Sequence, residues 1–226
     1  MAVFTFENLF KGVTCSLVFL MIYFICFVFV VVPELHKNKP ESCTDLPRFT
    51  EIWWIPIISA FALHALKRQI VNAAKPIFIK FGKDQDDKSV VEARVTRASL
   101  VAFKFVYYTG ASVWAYYLFK DSEILPPWLG GVGSVENHYI DWPYTPQVPG
   151  LLLYSLVQMG YYLEDLVEHN FFRPKTNDYW EMNLHHLLTI GLFGGMIHLN
   201  VIRSGALVSL LHNLSDIPTT ASRILS

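Results

Sequence analysis

Charge is scarce in this chain of 226 residues: Asp, Glu, Lys and Arg make up 16%, against 53% hydrophobic and 15% aromatic residues. A soluble domain normally carries about a quarter charged residues, so the composition argues against a water-facing globule and for the membrane class. The mean hydropathy of +0.34 points the same way. A surplus of either sign is also missing. The formal net charge of -1 leaves no basic field for nucleic acid. Cysteine is sparse: Cys15, Cys26 and Cys43 are an odd count without metal-like spacing, so no disulfide framework follows. Internal repeats, low-complexity tracts and a boundary between soluble domains are absent as well.

What the sequence does hold is a series of apolar runs between polar connectors. "VTCSLVFLMIYFICFVFVVVP", Val13 to Pro33, offers twenty uncharged residues before the proline, enough at 1.5 Å per residue to cross a hydrocarbon core of roughly 30 Å. It reads as an anchor rather than a cleaved leader, because it exceeds a usual signal h-region and no A-x-A-like site follows. Further runs extend from Ile52 to Leu66, Ala98 to Phe119, Val148 to Leu163, Asp178 to about Ile202 and Ser204 to about Ile217. Only helices and closed barrels satisfy their backbone in lipid, so all are expected to be helical. The expected fold is all-α, a polytopic transmembrane bundle of about six spans, with residues 1–50 as anchor and non-cytosolic loop and 51–226 as one membrane domain. The chain stops at "ASRILS" directly after the last run, which reads as a sequence incomplete at its C-terminus.

Residues 67–97 carry Lys67, Arg68, Lys75, Lys80, Lys83, Lys88, Arg94 and Arg97, whereas 120–147 carry only Lys120. The basic connector is therefore expected to be cytosolic, the connector with Trp128 and Trp142 to lie opposite, and Arg173 and Lys175 to return to the cytosol. Arg173 and Lys175 thereby become candidates for an anionic substrate at the cytosolic mouth.

Two adjacent histidines head the run "EMNLHHLLTIGLFGGM", and a third sits in "SLLHNLSD". Asp178 is placed to cap this helix, with Glu181 three residues on in a capping-box pattern. Glu181, His185 and Thr189 then share one face, while His186 is turned by about 100° toward Met182, Ile190 and Phe193. One imidazole is thus free to face a cavity while the other meets a neighbouring helix. On the next helix His212, Asn213 and Asp216 are three or four residues apart and within mutual reach. A turn near Arg203 to Gly205 would leave His185 and Asp216 offset by an order of 9 Å along the axis, which favours Asp216 over His212 as partner of the pair. Ionisable groups at membrane depth mark a pathway or site by default. His64, His138, His169 and His198, taken singly, read as structural. The sequon at Asn213 falls within a span and is not expected to be glycosylated. Metal is not expected: eight scattered histidines lack the clusters of a di-iron site, and an adjacent pair lacks the i, i+4 spacing that aims two imidazoles at zinc.

The stretch "DYWEMNLHHLLTIGL", followed by "RSGALVSLLHNLSD", resembles the Lag1 motif of the TLC-domain family. Its ceramide synthase members show a pattern close to D-[FY]-x-E-M-x-x-H-H-x-x-T, then arginine or its equivalent before glycine, then H-D-x-x-D. Asp178, Glu181, Met182, His185, His186, Thr189, Gly205, His212 and Asp216 align with it, and weaker likeness reaches back through "GYYLEDL", "DWP" and "PPW". The resemblance implies a multi-pass endoplasmic reticulum protein, as a single chain or an oligomer, with helices around a long chamber. It would move a fatty acyl group from acyl-CoA, a co-substrate, to the amine of a sphingoid base without metal or organic cofactor.

On this resemblance His185 is the base, or the nucleophile of an acyl-imidazole route. His186 donates to the thioester oxygen or orients its neighbour, and Asp216 fixes a tautomer. His212, Asn213, Glu181 and Thr189 support them. One position departs: where ceramide synthases usually carry aspartate after the motif's histidine, this chain has Asn213, which keeps hydrogen bonding and loses charge. A noncatalytic TLC-domain protein that binds or senses lipid, or assists membrane insertion, is therefore the alternative.

Overall fold

The computed structural model describes residues 29–31, 33–41, 46, 49–80, 88–173, 175, 177 and 179–225, together with 18, 22 and 25. Among these every regular element is helical: α1 (Phe49–Ile52), α2 (Trp54–Lys80), α3 (Lys88–Phe119), α4 (Leu151–Phe171), α5 (Tyr179–His198) and α6 (Ile202–Leu225), with turns of 3-10 helix at Pro127–Leu129 and Val135–His138. The all-α expectation holds. Most of the first apolar run, the three cysteines and the Asp178 cap lie outside the described residues.

Four helices, α2, α3, α4 and α6, are longer than the apolar runs that announced them, whereas α5 is shorter and ends at His198. Most of the expected basic connector is helix, ending α2 and beginning α3. Lys67 does not stop α2 because its ammonium is buried and paired. Likewise α4 runs through Glu164, Asp165 and Glu168, whose carboxylates point into the bundle and find partners there. With charges written into the middle of α2, α3 and α4, no helix of the described residues is long and apolar enough to cross a membrane.

α4 is the hub, packed along α2 and α5 and touching α3 and α6, while α3 lies between α2 and α6. The core they share includes Phe103, Ala115, Phe119, Tyr154, Leu156, Ile197 and Ile202. α2 and α4 come close enough at Gly160 that a Cβ there would meet Ser59 Cβ at 2.6 Å and the Pro56 carbonyl at 2.7 Å. The α5–α6 turn centres on Asn200, which holds a left-handed φ of 53°, a conformation that asparagine tolerates better than most residues. Its buried amide donates to the carbonyls of Pro143 at 2.7 Å and Thr145 at 3.1 Å, which clamps the turn to the 120–150 connector. The turn thus comes earlier than Arg203 to Gly205. Arg203 instead donates to the carbonyls of Asn137 and Pro146, locking the same connector from the first turn of α6.

Charged groups gather where α2 meets α4. Buried Lys67 lies 3.3 Å from both carboxylate oxygens of Glu164 and also pairs with Glu168, while His64 Nδ1 is 2.9 Å from Glu164 Oε1. The donor atoms of His64, Glu164 and Glu168 lie within 4.8 Å of one another, and the cation they face is the protein's own ammonium.

Removing one partner of a buried ion pair leaves the other charge uncompensated, at about 3–5 kcal/mol. Lys67→Met is expected to lower stability by that order, and Glu164→Gln added to it to recover part of the loss. Thermal unfolding in detergent of wild type, single and double variant checks this; an unchanged melting temperature for Lys67→Met would show that the pairing contributes nothing. His138 supplies a pH test. Burial holds its pKa below the usual 6.5, against the raising effect of the Ile124 carbonyl 2.9 Å from Nε2, and the nearby Arg203 lowers it further. Its contribution is present above the unfolded value and is lost as pH falls toward the folded one. Melting temperature is expected to drop below pH 6.5, with a shallower slope in His138→Gln.

Candidate functional site

A cavity of about 550 Å³ opens between α5 and α6 and reaches Tyr162 of α4. Its polar wall is His185 and Thr189 on one side and Ser209 and His212 on the other; Leu188, Leu192, Phe193, Met196 and Val208 make it predominantly apolar. A hollow with apolar walls and a few convergent polar groups is what a lipid-like substrate requires. α5 and α6 touch little along their length, which leaves the space between them.

The two adjacent imidazoles part company. His185 is exposed and lines the cavity, whereas His186 is 2% exposed and enters the α4–α5 interface. Their ring centroids are 5.5 Å apart. This is the division that a rotation of about 100° per residue produces on a helix packed along one face. Thr189 donates its hydroxyl to the backbone carbonyl of His185 at 2.8 Å rather than to the ring. Glu181, on the same face, is exposed and does not line the cavity.

The acidic partners are distributed differently from the sequence expectation. His186 Nε2 is 3.5 Å from Asp165 Oδ2 of α4, not beside Asp216. Asp216 is instead 3.5 Å from His212 Nε2 and bears electrostatically on Tyr108 and Tyr162. The physical reason lies in the turn and the rotation. With the turn at Asn200, His185 stands 15 residues before it and Asp216 16 after, which removes the expected offset. His186, however, is directed at α4, and α4 carries its own carboxylate there. His212, expected to lie further away, shares the cavity with His185.

Asn213 does not line this cavity. It is 1% exposed, and its amide donates to the Tyr154 hydroxyl at 3.2 Å, in a network with Gln158 and Ser209. An uncharged side chain suits that position, since a carboxylate among these neutral groups would be buried without a counter-ion.

Arg173, expected at a substrate mouth, is engaged within the protein. Its Nη2 donates to Asp165 Oδ1 at 2.6 Å and its Nε to Glu168 Oε1 at 3.0 Å. Burial works against its charge, but Asp165 and Glu168 prevail and raise its pKa above the ordinary arginine value. Lys175 is exposed, with its ammonium 5.1 Å from the centre of the Tyr179 ring. His169 stacks on Tyr179 and lies 3.2 Å from that residue's carbonyl; His198 bonds the Gly194 carbonyl at 2.7 Å.

Asp165 and its cations are what reading by sequence missed. Asp165 closes the apolar run of α4 and so passes for the end of a span. The signal available was three acids, Glu164, Asp165 and Glu168, within one turn of a helix that also had to bury an apolar face, with unmatched cations at Lys67, Lys104 and Arg173 elsewhere.

Comparison with known proteins agrees with the motif. The TLC domain model (TRAM, LAG1 and CLN8) matches residues 99–226. Ceramide synthase hyl-2 of Caenorhabditis elegans is 27% identical over 201 residues, 85% of this chain and 58% of the relative. Ceramide synthase hyl-1 of the same organism is 30% identical over 128 residues, 55% of this chain and 33% of the relative. Ceramide synthase 4 of Bos taurus is 32% identical over 126 residues, 55% of this chain and 30% of the relative. The chain spans between about a third and somewhat over half the length of these curated relatives. No solved structure matches it. With a family model covering more than half its length, the chain belongs to the TLC-domain family.

Proposed function

We propose that this protein is a ceramide synthase-like N-acyltransferase of the endoplasmic reticulum membrane, moving a fatty acyl group from acyl-CoA to the amine of a sphingoid base. The observation that carries the reading is the apolar 550 Å³ cavity with His185 on one wall and His212, backed by Asp216, on the other, in a chain similar to proteins named ceramide synthases.

The residues suit the chemistry. A long-chain ammonium cannot attack a thioester until it loses a proton, and imidazole titrates in the right range to take one. In the direct route His185 takes one proton from the ammonium, the freed amine forms the N–C bond to the thioester carbonyl, the C–S bond breaks, CoA leaves as thiolate, and the second nitrogen proton passes to that thiolate. In the two-step route His185 first takes the acyl group as an acyl-imidazole with loss of the thiolate, and the amine then displaces the imidazole. His212 and Asp216 stand across the cavity as a second imidazole–carboxylate pair, suited to hold or relay the proton. The exposed Lys175 remains available for the anionic groups of CoA, whereas Arg173 is committed to Asp165 and Glu168.

Where the charges point supports a membrane setting. Phe61, Phe171 and Trp180 lie outward with exposures from 73% to 78%, while Lys67, Glu164, Asp165 and Glu168 are turned inward and paired. A hydropathy average over each helix mixes these faces. In bilayer the outer side chains would meet lipid, and the inner ions would already be compensated.

The second reading, a lipid binder without turnover, is favoured by one observation: among the described residues no carboxylate lies at ion-pair distance from His185. Incubation of the full membrane-embedded protein with acyl-CoA and sphinganine separates the two. Amide product is expected from wild type and a loss of at least about 100-fold from His185→Ala, with membrane insertion unchanged. Absence of product from wild type, with lipid binding retained in His185→Ala, would replace the enzyme by the binder.

A further inference from the structure

We infer that Asp165 is the positioning residue of the histidine pair: it holds His186 in the tautomer with its proton on Nε2, leaving Nδ1 as the unprotonated nitrogen. The kinetic consequence rests on the acyl-transfer reading; the tautomer rests on geometry alone.

His186 is buried, and neither ring nitrogen has a hydrogen-bond partner in the resting structure. The groups that face it are Asp165, Tyr162 and His169 from α4, His185 from its own helix and Lys104 from α3. Of these Asp165 alone is a carboxylate, and its Oδ2 stands 3.5 Å from Nε2. A neutral imidazole has one N–H and one bare nitrogen. An N–H turned toward the carboxylate 3.5 Å away is attracted to it, whereas a bare nitrogen there would set its lone pair against the negative charge, so the proton belongs on Nε2.

Asp165 is itself fixed. Arg173 donates to its Oδ1 at 2.6 Å, and Lys104 approaches Oδ2 at 3.7 Å. Arg173 is tied in turn to Glu168, and Glu168 to Lys67. The orientation of one carboxylate is thus set by cations from α3 and from the α4–α5 connector, with α2 behind them. Asp165 does not line the cavity. It can act on the chemistry only through His186, whose ring lies against that of His185.

The asparagine variant makes a directional prediction. Because Arg173 donates to Oδ1, the amide oxygen of Asp165→Asn will stay on that side and its NH₂ will face His186, so Nε2 must accept and the proton must move to Nδ1. The full chain, labelled with ¹⁵N-histidine and held in lipid nanodiscs, reports this by NMR, with the His186 ring signals assigned by their disappearance in His186→Gln. Wild type at pH 7 is expected to show protonated Nε2 and bare Nδ1, Asp165→Glu the same, and Asp165→Asn the reverse or an exchanging mixture. A wild-type proton on Nδ1 overturns the inference without recourse to any variant, as does an unchanged tautomer in a folded Asp165→Asn. In the amide-forming assay Asp165→Asn is expected to lose about 100-fold or more in kcat, with little change in KM for acyl-CoA and partial recovery in Asp165→Glu. Wild type that shows the Nε2 proton but makes no amide retires the acyltransferase reading and supports the positioning; wild type that makes amide at the same rate with Asp165→Asn retires the kinetic role of Asp165.

Discussion

A carboxylate or ammonium taken out of water must be matched by a counter-charge at close range, and this requirement organises the interior of the bundle. α4 carries Glu164, Asp165 and Glu168 inward; Lys67 comes from α2, Lys104 from α3 and Arg173 from the connector that follows. Replacing such sets by apolar side chains is often neutral or stabilising, so their value here lies less in raw stability than in fixing how the helices meet. An apolar α2–α4 contact could slide by a turn with modest loss. One that must put Lys67 between two glutamates cannot.

The same network sets the two histidines apart. On a lone helix they would differ only in azimuth. Docking α5 against α4 buries His186 beside Asp165 and leaves His185 at the cavity, so that two identical side chains acquire different surroundings. Asn170 completes the junction: its amide donates to the buried Asn183 side chain at 2.6 Å, and the Tyr179 hydroxyl donates to its oxygen at 2.7 Å, holding the start of α5 to the end of α4. The site thereby rests on rigid helices rather than on a loop, as preorganised chemistry requires.

Asn213 changes meaning in this setting. Read along the chain it is a lost charge in a motif that usually has one. In the fold it is a neutral member of a neutral network with Tyr154, Gln158 and Ser209, buried behind the cavity wall. The carboxylate that accompanies a cavity imidazole is Asp216, next to His212.

Helical class, the number of long segments after residue 50 and the divergence of the two adjacent histidines were legible in the chain itself, because apolar runs and the 100° rotation per residue are local properties. Helix ends were not, since Lys67, Glu164 and Asp165 read as boundaries until their partners are known. The carboxylate beside His186 was not legible either. Asp165 lies 21 positions earlier on another helix, and periodicity along one helix carries no information about which face of its neighbour it meets. That choice belonged to the packing of α4 against α2 and α5, where each buried charge meets its partner.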